Sequence, residues 1–298
     1  MQRSETREEK TGIYSAFPGI ELLYHGIPFL ENAGQKRNTA GKMLVIHYCR
    51  EGRMDWELEN DRNYFLQKGD LSLYIPSEKL SCSPEYFRNY QGVSILIQVD
   101  GITTIQPMLN SFKVDLPRLW ESVCQNGGFV VERADSTTEH IFAELYTIPE
   151  KIRETYTKIK ILELLLFISA LDFSSGREER PYFRKGDVNK IRSVKAYLTE
   201  NIEEHLALKD LSERFQISRT LIKSCFKEIY GVPVYSFIRS CRMQKASLLL
   251  KATDEKIADI AQKAGYSNAS KFSAAFKKEL GLSPFEYRKK SRGGQIES

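Results

Sequence analysis

Two runs in the last third of the chain hold the residues best suited to grip a polyanion. Arg219, Thr220, Lys223, Ser224 and Lys227 form the first; Asn268, Ser270, Lys271, Lys277 and Lys278 form the second. Lysine and arginine meet phosphates as cations, and the longer donors can reach guanine O6 and N7 from a helix laid in a major groove. A polar helix face with lysines is more often simply solvated. What separates the two readings is the set of elements that must hold these residues.

Those elements come as a repeat. In the first copy Leu208, Leu211 and Phe215 fall at helical spacing. Ser218 then stands where an N-cap belongs, followed by a stripe of Leu221, Ile222, Cys225, Phe226 and Ile229. In the second copy Ile257, Ile260, Ala261 and Ala264 make the short helix, and Gly265 ends it where a left-handed backbone suits glycine. Ser267 or Asn268 caps the next helix, which buries Phe272, Ala275, Phe276 and Leu280 and turns Ala269 and Ala274 outward with its polar residues. Each copy then carries Phe-Lys eight to nine residues after the turn serine, and Gly231 or Gly281 four residues after the lysine. A duplicated helix-turn-helix predicts two helices laid on double-stranded DNA.

The segment from Asp187 to Arg288 resembles the DNA-binding domain of the AraC/XylS family of transcription regulators. The resemblance is carried by Ile257-Ala258, Gly265-Tyr266-Ser267, Phe272-Ser273, Ala275-Phe276-Lys277, Gly281 and Ser283-Pro284 before Tyr287-Arg288. It covers about a third of the chain. It implies two helix-turn-helix units joined by a long helix, here Val234 to Leu250, with Phe237, Ile238, Cys241, Ala246, Leu249 and Leu250 inside. The family often carries Arg two residues before each Phe-Lys pair, where this chain has Ser224 and Ala274. It often has Tyr where this chain has Lys271. The usual arginine contacts are therefore not carried over.

A length of 298 residues suits two domains. The net charge of +5 is unevenly spread: residues 187–298 hold 21 basic against 13 acidic residues, and the remainder holds 23 against 26. The basic excess lies in the segment that would meet phosphate. Five scattered cysteines without a Cys-x-x-Cys suggest a reducing cytosol without structural disulfides or a zinc cluster. The first residues are charged and read as a loose arm, and no apolar run reaches a membrane span of ~20 residues. A soluble cytoplasmic protein without membrane association is expected.

Residues 12–135 read as short strands with Gly, Pro, Asn and Asp turns, then helical patterns from about Ile105. Met43 to Arg50 and Arg53 to Leu58 read as a hairpin around Glu51-Gly52. With the Gly69-Asp70 turn, the strands are similar to the cupin-like antiparallel β-barrel that many family members carry as a sensing domain. A helix is expected from Pro117 through Cys124, and another from Thr138 to Tyr146 capped by Ser136 or Thr137. Residues 136–173 then form a helical segment whose long helix, opened by Pro149, carries Ile152, Tyr156, Ile159, Leu162, Leu166 and Leu171 along one face. Ile161, Leu164, Leu165 and Ile168 widen it. Such a helix packs on its own barrel, and the resemblance adds dimerisation. Residues 174–186 read as a linker and 187–291 as the DNA-binding domain. The fold class is α+β, with an all-α C-terminal domain.

Inside the barrel, His47, Cys49, Arg53, Trp56 and Tyr74 are candidates for a small-molecule effector site. For each, ordinary packing is the commoner role. His47 and Cys49 share one face of their strand and Ile46 and Tyr48 the other, and alternation alone leaves open which is inside. A metal-dependent cupin enzyme, an isomerase or oxygenase, is the alternative. It would want several converging histidines, and the chain has four in all, with no His-x-His. No metal, cofactor or catalytic residue is expected. The reading is a ligand-responsive regulator acting as a homodimer, with RNA polymerase a further candidate partner.

Overall fold

The computed structural model describes residues 12–25, 41–58, 60–76, 80–82, 90–171, 181–204 and 206–293. The expected N-terminal arm, His205 and most of the expected linker lie outside them. The chain divides into two compact units between Tyr182 and Phe183.

The first unit is built on antiparallel strands β1 (Gly12–Phe17), β2 (Ile20–His25), β3 (Met43–Glu51), β4 (Arg53–Leu58), β5 (Arg62–Gln67), β6 (Asp70–Tyr74), β7 (Leu80–Cys82), β8 (Gln91–Gln98) and β9 (Phe129–Arg133). One sheet runs β1-β2-β8-β3-β6-β9. In the second sheet β4 pairs with β5 and β7. Among the described residues the strands make two sheets and no closed hydrogen-bonded ring.

The expected hairpin around Glu51-Gly52 does not form. β3 pairs with β6 and β8, whereas β4 pairs with β5. Gly52, at φ +80°, turns the chain from one sheet into the other. Gly69, at φ +85°, turns it back between β5 and β6, and its N–H donates to the Cys49 carbonyl at 2.8 Å. The two glycines are corners of a sandwich.

The six-stranded sheet is covered on both faces. Ile46, Tyr48, Leu71, Leu73, Val93, Ile95 and Ile97 face a helical layer, where they meet Leu109, Leu116, Val123, Ile141, Phe142, Leu145 and Ile161. Each such side chain contributes ~1.5–3 kcal/mol when fully buried. The layer comprises α1 (Gln106–Ser111), α2 (Leu116–Gln125), α3 (Ser136–Thr147) and α4 (Arg153–Ser169). Asp135, and neither Ser136 nor Thr137, caps α3 by accepting the Thr138 N–H at 2.7 Å. Helix α4 buries Ile161, Leu164, Leu165 and Ile168. The stripe that looked dominant in the sequence divides: Ile152, Ile159 and Leu166 are 50%, 53% and 44% exposed, while Tyr156, Leu162 and Leu171 are partly buried against the core.

The boundary falls within the short strand β10 (Tyr182–Arg184), and α5 (Lys185–Glu200) follows, so helix starts inside the expected linker. There follow α6 (Leu208–Phe215), α7 (Arg219–Tyr230), α8 (Val234–Ala252), α9 (Ile257–Lys263), α10 (Ala269–Leu280) and α11 (Pro284–Gly293). Helix α8 is the expected joining helix. Its fully buried residues are Val234, Met243, Ala246 and Leu250, while Phe237, Ile238, Cys241 and Leu249 are half-buried. No helix among the described residues is long and apolar enough to cross a membrane.

Candidate nucleic-acid interface and sandwich interior

Helices α6 and α7 form one helix-turn-helix, and α9 and α10 the other. Ser218 caps α7, its Oγ accepting the Leu221 N–H at 3.1 Å. Asn268, not Ser267, caps α10, its Oδ1 accepting the Lys271 N–H at 2.9 Å. Counted from these caps the two copies are in register: Phe226 and Phe276 both lie eight residues on, and both are fully buried. Gly231 and Gly281 end the two helices in the left-handed region, at φ +78° and +77°. The turn of the second unit uses Gly265 at φ +76°, as the sequence suggested. The first unit uses Gln216 at φ +49°, which no local signal announced.

The outward faces are as expected. Arg219, Thr220, Lys223, Ser224 and Lys227 are exposed on α7, and Ser270, Lys271, Lys277 and Lys278 on α10, with Asn268 exposed at its start. Two of them are partly committed within the protein. Asn268 spends its side-chain oxygen on the cap, and the Ser224 hydroxyl donates back to the Thr220 carbonyl at 3.1 Å. The cations on these faces are different. Arg219, Lys223, Lys227, Lys271, Lys277 and Lys278 make no ion pair among the described residues. Cations on other faces of the same unit do: Lys209 with Glu213, Arg239 with Glu279, Lys245 with Glu203, and Lys263 with Glu255. The two stripes that would meet phosphate thus keep their cations out of ion pairs.

The sandwich interior gathers most of the other candidates. Cys49, Met54, Trp56, Leu66, Tyr90, Phe129 and Val131 form one buried cluster, with Tyr64 and Tyr74 packed on it. The His47 and Cys49 face is therefore the inner one. Trp56 and Tyr74 bring their rings to 4.9 Å. Arg53 is not part of this set. It alternates with Met54 and Trp56, so it lies on the opposite face, where its Nη2 donates to Gln67 Oε1 at 3.0 Å.

Cross-strand register adds residues that the sequence reading passed over. Ser72 and Ser94 sit opposite His47 on its two neighbouring strands. His47 Nδ1 lies 2.8 Å from Ser94 Oγ, and Nε2 meets the Tyr90 hydroxyl. The result is a polar row, Ser72–His47–Ser94, across an otherwise apolar interior. Ser72 Oγ and Trp56 Nε1 are buried and have no hydrogen-bond partner among the described residues. Unmet buried donors are costly, at ~1–3 kcal/mol each. Burial pushes the Cys49 thiol up to about 12, so it stays protonated and unreactive at neutral pH. Among the described residues no group of three or more His, Cys, Asp or Glu side chains could hold a metal ion.

A helix-turn-helix domain family model matches residues 211–290, spanning both units. The HTH-type transcriptional activator RhaR of Mannheimia succiniciproducens is 27% identical over 225 residues, which is 74% of this chain and 68% of that protein. The melibiose operon regulatory protein of Escherichia coli is 28% identical over 102 residues, 34% of this chain and 34% of that one. The chain thus spans about two thirds of the first relative and one third of the second. Among solved structures, the C-terminal domain of AraT, a response regulator from Geobacillus stearothermophilus, is 30% identical. The match covers 34% of this chain and 84% of that one, with a TM-score of 0.33.

Proposed function

We propose that the chain is a DNA-binding transcription regulator of the AraC/XylS type, and that its two units divide the work. Residues 187–291 bind double-stranded DNA through α7 and α10 together, each entering a major-groove segment. Helix α8, of 19 residues, is ~28 Å long, close to the ~34 Å between successive major-groove segments on one face of B-DNA. The observation that carries this reading is the pair of stripes bearing six cations that make no ion pair among the described residues.

Residues 12–135 act as a cupin-like sensing domain for a small-molecule effector held in the sandwich interior. His47, Cys49, Trp56 and Tyr74 line the site, now joined by Ser72, Tyr90 and Ser94. Trp56 Nε1 and Ser72 Oγ supply donors to an acceptor oxygen of the effector, and the surrounding rings cover its apolar faces. Residues 136–173 carry the dimer contact. Ile152, Ile159 and Leu166 recur every seven residues and stand exposed, the spacing of a helix seam shared with a second copy. Effector binding shifts the population of dimers competent to hold DNA, in the cytoplasm and alongside RNA polymerase.

The test is a binding titration of full-length protein against a randomised operator library, with and without candidate effectors, at two salt concentrations. The reading requires a sequence preference contributed by both units and a salt slope reflecting several phosphate contacts. A preference confined to one unit's segment, or one indifferent to every effector that raises the melting temperature, defeats the corresponding half.

A further inference from the structure

One side chain joins the two helix-turn-helix units. Arg242, on the middle of α8, donates from Nε to the Ile202 carbonyl at 2.8 Å and from Nη2 to the Glu204 carbonyl at 2.9 Å. These two carbonyls lie in the loop that leads into α6, the first helix of the first unit. From Nη1 the same guanidinium donates to the Gly265 carbonyl at 3.2 Å, in the turn of the second unit. It also lies 5.8 Å from the ring centre of Tyr266. Three separate carbonyls take up the rigid fork of donors that arginine has and lysine lacks. Lys245, one turn further along α8, adds an ion pair to Glu203 in the same loop.

The second unit's turn is pressed against this clamp. A Cβ on Gly265 would meet Arg242 Cζ at 2.8 Å and the Glu203 carbonyl oxygen at 2.9 Å. The turn of one unit and the entry loop of the other therefore lie side by side, with Arg242 hydrogen-bonded to both and a glycine making room for it. Among the described residues Arg242 makes no hydrogen bond or ion pair to α7 or α10, so it is assigned no direct part in base recognition.

We propose that Arg242 is a positioning residue that sets the base-pair spacing between the two DNA segments the chain reads. Helix α8 alone is a ~28 Å rod with a unit at each end. A bend of ~10° between the units would carry the far reading helix by about 5 Å, more than the ~3.4 Å step of one base pair. A guanidinium bound to both units resists that bend. The proposal rests on the reading that both units engage DNA at once. It adds that the spacing is enforced by the protein rather than by the sequence contacts.

The experiment takes the operator selected by the full-length wild type. It is remade with one or two base pairs inserted or deleted between the segments protected by α7 and α10. Wild type should lose 30-fold or more in affinity at a one-base-pair change. Arg242→Met should bind the parent operator within about tenfold of wild type and lose less than threefold at the altered spacings. Arg242→Lys, which keeps the charge and the stem but reaches fewer carbonyls, should fall between. Hydrogen exchange across residues 208–280 confirms that each variant is folded at the assay temperature. If Arg242→Met is unfolded, Arg242→Lys alone decides, by the same comparison. Variants that weaken binding equally at every spacing overturn the proposal, since that is what a merely structural arginine would do. A wild type indifferent to spacing would instead overturn the two-unit reading, and the proposal with it.

Discussion

Gly265→Ala tests whether the turn of the second unit is constrained by its backbone alone or also by what lies against it. Gly281 provides an internal control. Both glycines are left-handed, at φ +76° and +77°, so an alanine at either costs ~1–2 kcal/mol in backbone strain. Around Gly281 nothing lies within 4 Å of the added methyl group, so its cost ends there. Around Gly265 the methyl would stand at 2.8 Å from the Arg242 guanidinium and 2.9 Å from a backbone oxygen. The guanidinium must swing away, which breaks at least one charge-assisted hydrogen bond worth ~1.5–3 kcal/mol. Gly265→Ala should thus cost ~3–5 kcal/mol against ~1–2 for Gly281→Ala. Native-state hydrogen exchange on the full chain reads this locally. Amides of α9 and α10 should lose protection by a factor of 100 or more in the first variant and by roughly tenfold in the second. Equal losses would show that the clamp adds nothing to the turn and refute the reasoning.

Three other outcomes are expected. Lys223→Ala should relax specificity at one or two base positions by ~1–3 kcal/mol, whereas Lys271→Ala should weaken binding evenly and lower the salt slope by about 1, because α10 presents Ala269 and Ala274 where longer donors could stand. A library selection in which Lys271→Ala alone changes the preferred sequence would reverse that assignment. Ile159→Lys with Leu166→Lys should give soluble monomer by sedimentation, since both side chains point outward; a wild type monomeric at high concentration would remove the seam. The hydrogen bond from Lys160 holds the Glu144 carboxyl below its ordinary value of 4.5, so the contact it makes between α3 and α4 is fully present above that value. It is lost as pH falls through the lowered one. Melting curves of wild type should therefore drop more steeply below pH 4.5 than those of Glu144→Gln, and parallel acid limbs would rule the contact out as a source of that dependence.

The reading helices were legible because their signals are local. A cap such as Ser218, a buried Phe eight residues on and a closing glycine lie within one short window. The sandwich was legible in its strands but not in their partners. Glu51-Gly52 looks like a hairpin turn, yet a left-handed glycine serves a corner equally well. The hint lay in β3 itself, where six consecutive residues from Leu44 to Cys49 are buried. An unbroken buried run marks a strand covered on both faces. In the same way the stripe of Ile152, Ile159 and Leu166 satisfied helical periodicity and lost to Ile161, Leu164, Leu165 and Ile168, because periodicity cannot say which of two apolar faces meets the core. Ser72 and Ser94 became visible only through register with His47, a relation between strands that lie far apart in the chain.

Strand β3 is a partition with a different occupant on each side. His47 and Cys49 look into the sandwich, and Tyr48 between them looks out and stacks flat on Phe142 of α3, with ring centres 4.4 Å apart and planes 4° apart. Two residues further along α3, Glu144 is ion-paired to Lys160 of α4, the helix that turns Ile159 and Leu166 outward. Since neighbouring residues of a strand cannot move independently, a push on His47 from within is felt by Tyr48 without. From there one stacked ring pair reaches α3, and one ion pair ties α3 to α4. The strand is thus a diaphragm in the literal sense, one backbone carrying side chains of the sandwich interior and of the helical layer alternately.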